Sequence, residues 1–99
     1  MTYIIQAPQQ INSTIQLPAS KSICNRAVVI HAMAGCTFPL SHLSDCDDTE
    51  VIVAALRDMP ETINIKAAGT AMRFMTAYLA STPGSHTITG TERMKNRPV

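Results

Sequence analysis

The residues of this chain best suited to chemistry are cations and small donors set close together. In Pro18-Ala19-Ser20-Lys21-Ser22-Ile23-Cys24-Asn25-Arg26 a proline and a serine lead into a helical stretch. Lys21 and Ser22 fall in its first turn, and Arg26 lies four residues beyond Ser22 on the same face. The free N–H groups of a first turn and the positive end of the helix dipole add to these side chains, so the arrangement suits a carboxylate or a phosphate. A second cradle of this kind is Ala67-Ala68-Gly69-Thr70, a tight passage from strand to helix in which Gly69 lets backbone approach a ligand, Thr70 is placed to cap, and Arg73 follows. A third cationic stretch is Arg93-x-Lys95-x-Arg97. Spacing alone also fits capped helices with scattered basic residues and no ligand.

The elements that position these residues are legible as an alternation. Tyr3–Ala7 and Thr14–Leu17 read as short strands around a polar loop. From Ser20 the pattern turns helical, with Ile23, Ala27, Ile30 and Ala34 as its apolar face and Gly35 at the C-terminal cap. Thr37–Leu40 reads as an edge strand, and Asp47 with Glu50 as a capping box opening a second helix whose buried stripe is Ile52, Ala55, Leu56 and Met59. Pro60 stops that helix, and Thr62–Lys66 alternates as a half-buried strand. A third helix carries Ala71, Phe74, Met75 and Tyr78 on its apolar face, and His86–Thr89 is a last strand before the basic segment. From residue 20 onward the order α, β, α, β, α, β implies an α/β layer structure with helices on one face of a sheet.

Composition narrows the function classes. The chain has 99 residues, 45% of them apolar and 15% charged, which is one domain's worth at most. A net charge of +1 is too near zero for bulk attraction to nucleic acid or membrane, so anion binding must come from local placement. Three cysteines cannot all pair within the chain, and Met1–Gln6 lacks the basic residues and apolar length of a signal peptide, so a reducing cytoplasm is expected. Cys24, His31, Cys36, His42 and Cys46 follow no paired-cysteine zinc spacing; no metal and no cofactor are expected. Asp45, Asp47, Asp48 and Glu50 complement a helix dipole without an ion. With 4% aromatic residues there are few stacking platforms, so neither nucleic acid nor membrane is an expected partner.

Pro18-Ala19-Ser20-Lys21-Ser22-x-x-Asn25-Arg26-Ala27 resembles the opening signature of the EPSP synthase family, and Ala68-Gly69-Thr70-Ala71-Met72-Arg73 and Gly90-Thr91-Glu92-Arg93-Met94-Lys95-Asn96-Arg97-Pro98 agree with it in order. Members of that family are several times longer, so the resemblance implies an N-terminal piece. It implies a two-domain, inside-out α/β barrel fold, each domain built of three α/β repeats with helices inside, here incomplete. Residues 1–18 would be strands belonging with the second domain, and 19–99 one repeat and the start of the next in the first domain. The implied reaction moves the enolpyruvyl group of phosphoenolpyruvate to the 5-hydroxyl of shikimate 3-phosphate, releasing phosphate.

By resemblance Lys21 reaches both substrates, Ser22 and Arg26 hold the shikimate carboxylate, Gly69 offers backbone to phosphoenolpyruvate and Arg93 pairs with its charged groups. Thr70 and Arg73 would support them. The implied partners are the two substrates and the missing C-terminal part of the same enzyme. Two departures stand out: Ala67 where many relatives have asparagine, and Cys24 where a small hydroxyl residue is common, read here as a small buried residue. No catalytic acid or base is expected within these 99 residues, so the piece alone is expected to be inactive. Two alternatives remain from the sequence: a related transferase acting on a nucleotide sugar, and a non-catalytic module binding anions or nucleic acid.

Overall fold

The computed structural model of the chain describes residues 1–98. Its elements are α1 (Lys21–Met33), α2 (Asp47–Asp58), β1 (Thr62–Asn64), α3 (Gly69–Ala80), β2 (Thr87–Thr89) and α4 (Glu92–Lys95). The fold is α/β: three helices pack together over a small parallel sheet in which Thr62, Ile63 and Asn64 pair with Thr87, Ile88 and Thr89. Ile65 extends the pairing by donating to the Thr89 carbonyl at 2.8 Å. Ile63 is buried between exposed Thr62 and Asn64, so one face of β1 is covered, as its alternation requires. Ile52, Ile63, Ile65, Ala71 and Met75 form the centre of the core, where each is at most 2% exposed.

Local chemistry explains the helix boundaries. The Ser20 hydroxyl accepts the Ile23 N–H at 3.4 Å and caps α1, and Gly35 ends it at a φ of +62° that a side chain would resist. The capping box expected at Asp47 and Glu50 does not form. Asp47 is already inside α2, whose first capping position is Cys46, and the acids are left facing the helix dipole. Thr70 likewise does not cap α3: the capping position is Ala68, and no side chain bonds to that helix start.

Three other expectations fail because the partner that each needs lies elsewhere or is absent. Tyr3–Ala7 and Thr14–Leu17 form no strand: residues 1–18 project from the body without regular structure, and Ile4 and Ile5 are each 90% exposed. Strands exist only in pairs, and neither segment finds one. Thr37–Leu40 is not a strand either. Its Phe38 carbonyl lies 2.6 Å from His31 Nε2, and the two rings meet edge to face at 5.4 Å, so the stretch folds back on the end of α1. The face of α1 that enters the core is Cys24, Asn25 and Val28, while Ile23 and Ile30 of the expected stripe stay exposed. A buried hydrogen bond from Thr49 to Asn25 fixes that rotation.

Candidate functional site

The three long helices run side by side in the same direction. Lys21 at the start of α1 lies 3.4 Å from Asp48 at the start of α2, and one turn later the Thr49 hydroxyl donates to Asn25 Oδ1 at 2.6 Å. Arg26 stands over the ring of Phe74 in the second turn of α3, 5.7 Å from its centroid, and Met33 at the far end of α1 shares a groove with Ser81, just past the end of α3. The positive ends of α1, α2 and α3 therefore gather at one end of the layer.

The carboxyl ends of both strands deliver the remaining site residues. Asn64 Oδ1 accepts the Lys66 N–H at 2.9 Å, supporting a left-handed backbone at Lys66 (φ 52°) that swings the chain into Ala67, Ala68 and α3. After β2, Gly90 passes so close to that turn that a Cβ there would sit 2.6 Å from the Lys66 carbonyl oxygen, which accepts the Thr91 N–H at 3.0 Å. The Thr91 hydroxyl then caps α4, the short turn that carries Arg93. Ala67, Thr91, Arg93, Met94, Asn96 and Arg97 line an open cleft of about 670 Å³. A crevice beyond the carboxyl ends of parallel strands is where open α/β sheets bind ligands.

The structure brings the expected residues to this end in two groups. Gly69, Thr70 and Arg73 lie in the first turns of α3, and Arg93 lines the cleft beside the strand ends. Lys21, Ser22 and Arg26 are exposed on the first two turns of α1, with the Arg26 guanidinium bonded back to the Ser22 carbonyl at 2.9 Å. Of the eight Lys and Arg residues all but Arg57 belong to the first two turns of α1 or α3 or to the segments that follow the strands. A net charge of +1 thus conceals a cationic end.

One residue absent from the expected set is placed at least as centrally. Arg97 stacks over the start of α3, its Nη1 only 2.6 Å from where a Gly69 Cβ would stand. Its signal in the sequence was present: it lies four residues after Arg93 in the same basic run. Gly69 is needed for that approach and not for a left-handed backbone, because the turn's positive φ falls on Lys66. Ala67, the first of the two departures from the resemblance, contributes only a methyl to the cleft wall.

Cys24 is buried, its sulfur accepting the Ser44 N–H at 3.2 Å, in keeping with a packing role. Cys46 differs. Burial pushes its thiol up, yet hydrogen bonds with the Ser44 and Thr49 side chains, the Thr49 backbone and the nearby Lys21 charge outweigh this and hold it below the usual value. Among the described residues no group of three or more His, Cys, Asp or Glu side chains could hold a metal ion, and no helix is long and apolar enough to cross a membrane.

Residues 5–65 and 59–99 match the sequence profile of EPSP synthase (3-phosphoshikimate 1-carboxyvinyltransferase). The chain belongs to the EPSP synthase family. It is 65% identical over all 99 residues to the 3-phosphoshikimate 1-carboxyvinyltransferase of Bacteroides fragilis strain YCH46, and covers 24% of that protein. The enzyme of the same name from Shewanella halifaxensis is 32% identical over 117 aligned positions, covering 92% of this chain and 28% of the relative. The chain thus spans about a quarter of the length of the curated relatives it matches. The Shewanella alignment is longer than the chain itself, and the two profile matches overlap at residues 59–65. No solved structure matches the chain.

Proposed function

We propose that this chain forms one wall of an enolpyruvyl transferase site, in an enzyme that moves the enolpyruvyl group of phosphoenolpyruvate to the 5-hydroxyl of shikimate 3-phosphate and releases phosphate in the cytoplasm. The observation that carries this reading is the convergence of three helix starts, two strand ends and most of the chain's cations at one end of an EPSP synthase family fold. Both substrates are multiply anionic. Bringing them together needs fixed cations and N–H donors that offset their mutual repulsion and steady charge as the transition state forms.

In this reading Lys21 contacts both substrates, and Ser22 and Arg26 take the shikimate carboxylate, the guanidinium by a planar fork. Gly69 and the uncapped start of α3 face phosphoenolpyruvate, with Arg93 pairing to its charges and Thr70 and Arg73 in support. Residues 1–18 would join the second domain and 19–99 the first. The uncovered Ile4, Ile5, Ile23 and Ile30 support that division, since surfaces of this kind call for a partner. Proton transfer and the grip on the shikimate phosphate fall to the part of the enzyme beyond these residues.

The test is a chimera in which residues 1–99 replace the matching N-terminal quarter of the Bacteroides fragilis relative. Titration calorimetry with shikimate 3-phosphate should give saturable binding, weakened at least about tenfold by Arg26→Ala, on the scale of one charge-assisted contact. Saturation by a nucleotide sugar instead, or oligonucleotide binding with a steep salt dependence, would replace this reading.

A further inference from the structure

We propose that Asp48 is a positioning residue for Lys21: its carboxylate holds the ammonium in a fixed place at the gathered helix starts, ready for an anionic ligand. The proposal rests on the reading that Lys21 binds substrate, and adds a residue to it. Lys21 Nζ lies 3.4 Å from Asp48 Oδ2, and the two side chains are unequally buried, 51% exposed for the lysine and 18% for the aspartate. The carboxylate is thus part of the wall, and the ammonium reaches outward from it.

Neither partner needs the other for the fold. Asp48 lies in the first turn of α2, where the helix dipole already favours a carboxylate. Docking of α1 on α2 is secured one turn deeper by the bond between Thr49 and Asn25, at 1% and 0% exposure, and the Thr49 hydroxyl also meets Cys46 Sγ at 3.1 Å. A part-exposed ion pair adds little to stability beside that neutral, buried contact. What the pair does is restrict Lys21. A lysine on a free four-carbon stem samples many rotamers and loses them when it binds; one already held by a carboxylate has fewer to lose. An ammonium has three N–H donors, so with one turned to Asp48 two remain for a ligand.

The sign of the effect separates positioning from bulk charge. Asp48 is itself negative and only an acceptor, so if charge alone mattered its removal would tighten the binding of an anion. Positioning requires the reverse.

The experiment is a double-mutant cycle in the same chimera, with shikimate 3-phosphate affinity read by calorimetry and helix content and melting followed for every variant. Asp48→Ala is expected to weaken binding about tenfold, the scale of one immobilised long side chain, with melting lowered only by the small loss of a first-turn carboxylate and helix content unchanged. In the Lys21→Ala background the same substitution is expected to have no effect, and Asp48→Glu to recover part of the loss. Tighter binding in Asp48→Ala, or an equal loss with and without Lys21, overturns the proposal while leaving Lys21 as a ligand residue. Unchanged binding in Lys21→Ala removes the reading of Lys21 itself.

Discussion

Thr49→Val tests the contact that sets the rotation of α1 and hence where Lys21, Ser22 and Arg26 point. The substitution keeps the volume and branching of the side chain and removes only a hydroxyl, at a position 1% exposed. That hydroxyl donates to Asn25 Oδ1 at 2.6 Å, while Asn25 Nδ2, buried in the same place, has no partner among the described residues. Without the Thr49 hydroxyl the whole Asn25 carboxamide is stranded in the core. A neutral hydrogen bond is worth about 1 kcal/mol net, but a buried group left unsatisfied costs about 1–3 kcal/mol, so a loss of about 2 kcal/mol is expected. For a domain of this size each kcal/mol moves Tm by about 4–8 °C. Urea unfolding of the chain followed by helical circular dichroism should show a lower midpoint at unchanged slope. Asn25→Ala should then cost less when combined with Thr49→Val than alone, because its partner has already gone. A Thr49→Val loss below about 0.5 kcal/mol, with additive behaviour, would refute the reasoning.

Three further outcomes follow from the same geometry. Gly90→Ala drives a methyl onto the Lys66 backbone oxygen, which cannot swing aside, whereas Gly69→Ala meets only the mobile end of Arg97; the first should cost about 1–3 kcal/mol and the second well under about 1 kcal/mol in the same unfolding assay. Cys46 should react with iodoacetamide along a pH profile whose midpoint lies below that of an ordinary thiol, shifting upward in Lys21→Ala; a midpoint at or above the ordinary value contradicts the hydrogen-bond assignment. Because its folded value is the lower one, Cys46 contributes no stability below that value, and its contribution grows with pH until the unfolded thiol has also ionised. Amides of residues 3–6 and 14–17 should exchange far faster than those of α1 in the dilute chain, and equal protection would mean that the segment has found a partner within the molecule.

What the sequence made legible was local. Ser20, Gly35 and Pro60 mark the ends of α1 and α2 by chemistry confined to a turn, and Ile63 and Ile65 declare a buried strand face by alternation alone. The failures depend on distant residues. Ile23 and Ile30 have helical spacing, but which face of α1 turns inward is decided by Thr49, twenty-four positions from Asn25. Tyr3–Ala7 and Thr14–Leu17 have strand composition, yet a strand is a relation between two segments, and neither pairs with another in this fold. Pro39 and Phe38 read as an edge strand, while the accepting carbonyl turns to His31. At the site, Lys21, Gly69, Arg93 and Arg97 all stand in stretches legible in the sequence, whereas the approach of Arg97 to Gly69 and the pairing of Asp48 with Lys21 show only when α2 and the segment after α4 are folded against them.

On the function proposed above, these residues supply the substrate wall of an enolpyruvyl transferase and not its whole machinery. The most direct measurement is phosphate release from phosphoenolpyruvate, dependent on shikimate 3-phosphate, assayed for the chimera and for the 99-residue chain alone. The chimera is expected to turn over and to lose at least about tenfold in rate with Arg93→Ala, on the scale of a lost charge-assisted contact, while the isolated chain releases nothing above background. Release by the chain alone, or turnover by the chimera that is indifferent to Lys21, Arg26 and Arg93, would contradict it.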